Sequence, residues 1–153
     1  MGNKARLFKP KAGQVDFTKV RWAPVINCVV KCGDRFLVVR RSQELGFYPG
    51  YWNGISGFLD DRKSLREKVE EELREELKMP KGNIKKVILG QIFDQEASQY
   101  KKTWVVHPVL VEVKSDKIKL NWEAKEYKWV SFEELMKMKL LPGFLELVKR
   151  FTK

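Results

Sequence analysis

The stretch that decides the fold of this chain is GFLDDRKSLREKVEEELREELKM, residues 57–79. Within it, Ser64 stands three residues before Glu67, which is the spacing of a capping box, in which each side chain accepts from the other's backbone amide. A helix is therefore predicted to begin at the residue after Ser64. Lys78 is predicted to continue the helix until Pro80, whose ring cannot continue it. The sequence thus predicts one helix, after a loop that starts with glycine.

Three carboxylates, those of Glu72, Glu75 and Glu76, lie on one side of this predicted helix. At about 100° per residue, Glu76 stands roughly 40° and Glu75 roughly 60° from Glu72, at the border of the apolar stripe. Like charges at these spacings destabilise a helix, and a divalent cation between them would remove that penalty. A solvated, salt-bridged face is the alternative interpretation of the same pattern. The residues upstream bear on this choice.

Those upstream residues make the stretch resemble the signature of the Nudix hydrolases, G-x5-E-x7-R-E-U-x-E-E-x-G-U, where U is aliphatic. Three of its nine fixed positions differ in this chain, because Lys63 replaces the first Glu, Glu71 the Arg and Lys78 the second Gly. The other six are filled in register, by Gly57, Glu72, Leu73, Glu75, Glu76 and Met79. The resemblance extends over most of residues 24–140 and favours the cation site.

Two of the three departures are interpreted as one event. In the family the first Glu and the Arg form an ion pair that holds the loop against the helix, and Lys63 with Glu71 is the same pair with reversed polarity. Because an exposed ion pair contributes little to stability, its value would lie in the geometry of the loop. The first Glu of the family can also help to bind metal, which Lys63 cannot do.

The resemblance implies an α/β fold, specifically the Nudix-type α/β/α sandwich with a mixed β-sheet. It also implies hydrolysis of a diphosphate linkage in a nucleoside diphosphate derivative, dependent on Mg2+ or Mn2+ bound by carboxylate oxygens. Glu72 and Glu76 are the leading metal ligands that it implies. Glu75 is implied as a third ligand or as the general base, so that Glu72 and Glu75 are the candidate catalytic residues.

Further candidates lie outside the signature. Glu123, in the stretch NWEAKEYKWV, stands where some Nudix enzymes carry an additional metal-binding Glu, although Glu126 competes with it and a solvated loop is an equal alternative. Arg41 matches a family Arg near the substrate phosphates. Tyr51 is assigned to substrate binding as one of four aromatics that can stack on a base, with Tyr48, Trp52 and Trp122, and buried packing is the alternative interpretation for them. Gly57 is assigned to substrate binding as a residue that permits close backbone approach.

Two rival functions remain open. The departures at Lys63, Glu71 and Lys78 favour a catalytically weak or inactive Nudix-fold module that binds nucleotide or RNA. A diphosphate isomerase on the same fold would be expected to carry a catalytic cysteine near the loop before the helix, and residues 50–60 contain none. Turnover with Mg2+ on a panel of diphosphates separates the enzyme from the binding module.

Length and composition bound the remaining classes. With 153 residues and 43% hydrophobic content, the chain fits one domain, predicted over residues 21–153. Residues 1–20 are predicted to be an arm, an edge strand or part of a homodimer contact. No apolar run approaches the length of a membrane span and no secretory signal is present, so a cytoplasmic protein without membrane contact is expected. A formal charge of +11 favours polyanionic ligands and leaves nucleic acid open as a partner.

The rest of the chain is predicted to alternate strands and helices. A tight turn at Gly33-Asp34 joins the first two strands. A second capping box, Ser131 with Glu134, predicts a short helix, and the break at Pro142-Gly143 precedes an apolar C-terminal helix. The predicted strands are residues 24–31, 35–40, 51–57, 83–93, 103–113 and 127–130, with 83–93 paired to 103–113.

Overall fold

The computed structural model of the chain describes residues 9–152, in which eight strands form one sheet and three α-helices accompany it. None of the described helices is long and apolar enough to cross a membrane. The strands are β1 Trp22–Cys32, β2 Arg35–Arg41, β3 Trp52–Asn53, β4 Ile55–Phe58, β5 Ile84–Leu89, β6 Phe93–Ala97, β7 Lys102–Val113 and β8 Ala124–Val130. The helices are α1 Leu65–Leu77, α2 Phe132–Leu135 and α3 Phe144–Arg150, and short 3-10 turns occupy Lys81–Asn83 and Ser98–Tyr100.

The centre of the sheet is a long parallel pair of strands. β1 pairs with β7 from Trp22 opposite Thr103 to Lys31 opposite Glu112. The other pairings between these strands are antiparallel. The strand order is β3-β2-β1-β7-β5, with β4 also on β1, β6 on β7 and β8 on β2. A central parallel pair needs cover on both faces of the sheet.

Each face of the sheet carries its own hydrophobic core. Successive side chains along β1 point to opposite faces, as in any strand. Ile26, Cys28 and Val30 belong to the core beneath α1. Ala23 and Val29 belong to the core beneath α3. The predicted α/β/α sandwich with a mixed sheet is therefore confirmed.

The predicted helix starts and the first turn are confirmed. The Glu67 amide donates to Ser64 Oγ at 3.2 Å, and the Ser64 amide donates to Glu67 Oε1 at 3.3 Å. Ser131 and Glu134 form the same reciprocal box at the start of α2. Gly33 takes a positive φ of 61° in the turn between β1 and β2, which glycine adopts without a steric penalty.

The predicted end of the first helix is wrong. α1 ends at Leu77, and Lys78 is its cap in the left-handed conformation, with φ 55° and ψ 31°. The Lys78 amide donates to the Arg74 carbonyl at 3.0 Å, and the Met79 amide donates to the Leu73 carbonyl at 3.2 Å. These bonds satisfy carbonyl groups in the last turn of the helix, an arrangement in which the left-handed residue is usually glycine. The lysine therefore adopts the conformation for which the Nudix signature carries Gly.

Three predicted strands have different limits in the structure. Residues 51–57 form two short strands, β3 and β4, separated by Gly54, whose backbone lies too close to the Cys28 carbonyl to leave room for a Cβ. In the segment predicted as a strand over residues 83–93, the strand ends at Leu89. The predicted pairing of this strand with residues 103–113 is confirmed. Phe93 instead begins the unpredicted strand β6, and the strand predicted at 127–130 begins three residues earlier, at Ala124.

The N-terminal prediction is only partly covered by the structure. Residues 1–8 lie outside the described part of the chain. Residues 9–20 contain turns and no strand, so the edge-strand alternative is wrong for this segment.

Candidate active site

Helix α1 positions the acidic residues because one side of it is fixed against the sheet. The core-facing side of α1 carries three fully buried side chains, those of Val69, Leu73 and Leu77. At the border of this stripe, Glu76 is buried and Glu72 is partly buried, while the adjacent Glu75 is exposed to solvent. The helix thus presents carboxylates at graded depth, as its periodicity predicts.

Glu72 lies directly against the backbone of Gly57. A Cβ on residue 57 would stand 2.7 Å from Glu72 Oε1, so any larger residue would displace this carboxylate. Burial raises the pKa of Glu72 to about 7, and a hydrogen bond with Glu76 opposes part of that rise. The structure therefore gives Gly57 a role in accommodating Glu72, and substrate contact at Gly57 stays a prediction.

Glu76 is the most deeply buried of these acids. Glu76 is 8% exposed. Among the described residues, no group forms a hydrogen bond with its Oε2. Burial raises the pKa of Glu76 well above its ordinary value, and the nearby charges of Glu123 and Glu72 raise it further. A buried carboxylate oxygen without a partner is unfavourable, and a divalent cation, which prefers oxygen ligands, would satisfy it.

A second set of carboxylates converges on the outer side of the same helix. One oxygen each from Glu71, Glu72 and Glu75 falls within 4.8 Å of the other two. This trio differs from the predicted one, because Glu71 joins it and the more deeply buried Glu76 does not. Oxygen donors at this spacing, next to the unpartnered Glu76 Oε2, fit a Mg2+ or Mn2+ ion.

The ion pair of reversed polarity is present. Lys63 Nζ lies 2.9 Å from Glu71 Oε2 and 3.0 Å from Asp61 Oδ2. The two charges at the departing signature positions therefore do meet, and the predicted pairing of Lys63 with Glu71 is confirmed. Because of this pair, the Glu71 carboxylate is shared between the acidic trio and an ammonium group.

A buried lysine at the start of the same helix was missed by the sequence reasoning. The Lys68 side chain is 4% exposed, and its Nζ lies 3.1 Å from both Asp60 Oδ1 and Asp61 Oδ2. Burial alone would lower the pKa of Lys68, but its bonds to Asp60 and Asp61 raise it above its ordinary value. Its charge also lowers the pKa of Glu72. The available signal was its position one helical turn before Glu72, on the same face.

Glu123 lies in the segment directly before β8, outside helix α1. The Ser42 amide donates to the Glu123 carbonyl at 2.9 Å, which joins the segment after β2 to the segment before β8. Burial raises the pKa of Glu123, and the Glu123 charge in turn raises the pKa of both Glu72 and Glu76. The charge of Glu123 therefore acts on both of these helix carboxylates, and its role as a metal ligand stays a prediction.

Its competitor Glu126 is engaged elsewhere. Glu126 pairs with Arg40 across β2 and β8, and its Oε1 lies 3.7 Å from Arg40 Nη1. Of the two acidic residues in this segment, the structure therefore brings Glu123 to the helix carboxylates.

Arg41 ends β2 as a partly buried cation near the acidic residues. Its Nε donates to the Phe47 carbonyl at 3.0 Å, which fixes the direction of the guanidinium. Burial lowers the pKa of Arg41, and the charges of Glu76 and Glu123 oppose that effect. A positively charged group is thus held next to the carboxylate cluster, where a phosphate would need a counter-charge.

Tyr51 is joined to Arg41 through the backbone. The Arg41 amide donates to the Tyr51 carbonyl at 2.8 Å. The half-buried Tyr51 ring meets Tyr48 edge-on, with ring centroids 5.8 Å apart, and Lys139 Nζ lies 4.4 Å from the Tyr51 ring centroid. The Tyr51 ring thus packs against Tyr48 and Lys139. Base stacking by Tyr51 stays a prediction.

The fold and the site together define a class of protein, an α/β/α domain in which one helix presents carboxylates suited to a divalent cation near a partly buried arginine. A family model described as the NUDIX domain matches residues 21–151. The chain belongs to the Nudix family. No curated protein sequence matches it.

Solved structures share this fold at low sequence identity. The binary complex of a C. elegans Ap4A hydrolase is 19% identical with a TM-score of 0.67, over 85% of this chain and 95% of that chain. A MutT NUDIX hydrolase from Burkholderia pseudomallei is 16% identical with a TM-score of 0.74, over 86% and 99%. The NUDIX domain of Shewanella oneidensis NrtR, complexed with ADP ribose, is 15% identical with a TM-score of 0.72, over 95% and 94%. At these identities the likeness establishes the fold alone.

Proposed function

We propose that this protein hydrolyses a diphosphate linkage in a nucleoside diphosphate derivative, using Mg2+ or Mn2+ held by carboxylates of α1. The observation that carries the proposal is the buried Glu76 carboxylate, which is hydrogen-bonded to Glu72 and has one oxygen with no partner in the part of the chain that the structure describes. Membership of the Nudix family supports the same reaction class.

Each acidic residue has a distinct role in this proposal. Glu72 and Glu76 hold the cation, and Glu123 supplies a further ligand from the other side of the site. A bound divalent cation screens the phosphate charge and lowers the pKa of a coordinated water. Glu75, which is exposed, either completes the ligand set or accepts the proton of the attacking water. Glu72, Glu75 and Glu76 belong to α1, and Glu123 belongs to the segment before β8.

The substrate side of the proposal rests on charge. The Arg41 guanidinium neutralises phosphate oxygens, for which its planar donor geometry is suited. Tyr51 provides an aromatic surface for a base. The formal charge of +11 attracts polyanionic small molecules to the protein at long range. Two structural neighbours are an Ap4A hydrolase and a domain complexed with ADP ribose, and both names point to nucleotides with linked phosphates.

One observation favours a second candidate function. The Lys63 ammonium lies 2.9 Å from Glu71 Oε2, next to the carboxylate trio, and an internal cation there competes with a metal ion. Under this alternative the protein binds a nucleotide or RNA on the Nudix fold and turns it over weakly or not at all.

A panel experiment tests both candidates. Purified protein is incubated with ADP-ribose, Ap4A and nucleoside triphosphates in Mg2+, Mn2+ or EDTA, and the phosphate-containing products are separated by anion exchange. We expect metal-dependent turnover that falls by roughly a hundredfold or more in Glu72→Gln and in Glu76→Gln. Glu126→Gln is the matched control, since Glu126 pairs with Arg40, and it should retain wild-type turnover. Full activity in both site variants, or in EDTA, would exclude the proposal, and saturable nucleotide binding without turnover would support the alternative.

A further inference from the structure

The segment that precedes the matched Nudix domain is bonded to the loop of the candidate site. We call residues 11–20 the N-terminal strap. The Val15 amide donates to the Asp60 carbonyl at 2.6 Å, and Gln14 Nε2 donates to Asp60 Oδ2 at 2.8 Å. The family model begins only at residue 21, so these contacts come from outside it.

The other end of the strap is held by a buried lysine on β7. Lys102 is 2% exposed, and its Nζ donates to the carbonyls of Phe17 and Val20 at 2.5 and 2.6 Å. The same ammonium lies 5.6 Å from the ring centroids of both Phe47 and Trp104. The strap is therefore fixed at both ends, to the sheet by Lys102 and to the loop by Asp60.

Asp60 links the strap to helix α1. The residue is 5% exposed, and its two carboxylate oxygens have different partners. Oδ2 accepts from Gln14 in the strap, and Oδ1 accepts from Lys68 in the helix at 3.1 Å. Lys68 in turn lies 3.7 Å from Glu71 Oε1 and one helical turn before Glu72.

Buried ionic groups of this kind specify a geometry. Removing one partner from a buried pair leaves an uncompensated charge, so the pair tolerates only arrangements in which both partners are satisfied. The loop and α1 are also in close contact at the far end, where any Cβ on Gly57 would stand 2.7 Å from Glu72 Oε1. A small shift of the loop relative to the helix therefore moves the Glu72 carboxylate.

We propose that Gln14 and Lys68 are positioning residues for the carboxylates of α1, acting through Asp60, so that the N-terminal strap is a working part of the site. This inference rests on the proposed metal-binding function. It extends that function to residues that touch neither the cation nor the substrate and that lie partly outside the Nudix domain match. The strap fixes the position of the loop. The loop and Lys68 fix the position of the start of α1, and α1 fixes the position of the Glu72 carboxylate.

The test uses the full chain with Gln14→Leu, Lys68→Met, Lys68→Arg and the control Thr18→Val. Thr18 belongs to the strap, and among residues 9–152 its hydroxyl bonds within the strap, Oγ1 donating to Asp16 Oδ1 at 2.6 Å. Three quantities are measured for each variant: the Mn2+ dissociation constant from the EPR signal of free Mn2+, kcat and KM at saturating Mn2+, and the thermal midpoint.

We expect Gln14→Leu and Lys68→Met to weaken Mn2+ binding by about tenfold or more and to lower kcat more than they change KM. Lys68→Arg keeps the charge and should recover most of the loss, and Thr18→Val should match the wild type. If Lys68→Met does not fold, the double variant Asp60→Asn with Lys68→Met removes the uncompensated charge, and Gln14→Leu remains as an independent probe.

The outcomes separate this inference from the function on which it rests. Variants that melt at lower temperature but bind Mn2+ and turn over like the wild type would show a purely structural role and overturn the inference alone. A wild-type protein that neither binds Mn2+ nor turns over any substrate would overturn both.

Discussion

The strongest prediction concerns the variant Glu72→Gln in the absence of metal. The folded pKa of Glu72 is about 7, above its ordinary value of 4.5, because the ionised carboxylate is buried. The folded state therefore binds this proton more tightly than the unfolded state, and stability is lost as the pH rises from about 4.5 through about 7. Between pH 5 and pH 8 this loss amounts to about 2–3 kcal/mol of unfolding free energy.

Replacing Glu72 by Gln removes the charge and should remove the loss. The measurement is urea denaturation in EDTA, followed by tryptophan fluorescence at pH 5 and pH 8. We expect the wild type to lose about 2–3 kcal/mol more than Glu72→Gln over this interval, or about 5–10 °C in thermal midpoint. The variant should therefore exceed the wild type at pH 8. Glu75→Gln is the comparison variant, because Glu75 is exposed on the same helix, and it should keep most of the wild-type pH slope, since burial raises the pKa of Glu72 more than the charge of Glu75 does.

Added metal should reverse the order of stabilities. A cation that binds only the folded state stabilises it by mass action, and its carboxylate ligands must be deprotonated to bind it. Mg2+ or Mn2+ should therefore stabilise the wild type more at pH 8 than at pH 6 and have much less effect on Glu72→Gln. Identical pH slopes for wild type and variant in EDTA would refute the reasoning, since Glu72 would then not be a buried ionised group.

Three further predictions concern other features of the helix and its loop. Lys78→Gly should raise the unfolding free energy by about 0.5–1 kcal/mol, because Lys78 has a left-handed backbone conformation with φ 55°. Lys78→Ala should bring no such gain, and urea denaturation compares the two variants. Gly57→Ala should displace the Glu72 carboxylate and reduce turnover by about a hundredfold, and unchanged Mn2+ affinity in this variant would contradict the contact at 2.7 Å. Lys63→Glu and Glu71→Arg should each weaken Mn2+ binding more than the double variant does, because only the double variant restores an ion pair; a double-mutant cycle that finds no coupling would rule this out.

Features with local causes were predictable from the sequence. Each capping box involves residues only three positions apart, so both helix starts were placed to the residue. The glutamate face follows from the helical period alone. The end of α1 was misjudged because lysine has good helix propensity, and its left-handed conformation is set by the bond from Met79 to Leu73 rather than by its own preference.

Features with tertiary causes were not predictable in the same way. β6 has the sequence FDQEA, which lacks the apolar alternation of a strand and is recruited by pairing along β7. Lys68 carries a charge on a helix rich in charges, a pattern typical of a solvated face, and it is buried only because Asp60 and Asp61 close over it from the loop. The pairing of Glu126 with Arg40 joins β8 to β2, and the sequence does not show that these two strands are neighbours.

The parallel pairing of β1 with β7 has a consequence for how this chain acquires its structure. Trp22 pairs with Thr103, so the residues that pair at the middle of the sheet lie about eighty positions apart in the chain. Closing so long a loop is entropically unfavourable before any contact forms, and topologies dominated by distant contacts fold slowly. During synthesis, β1 to β4 and α1 leave the ribosome well before β7 exists to complete the sheet. The acidic helix is thus made early, and its supporting sheet is finished late.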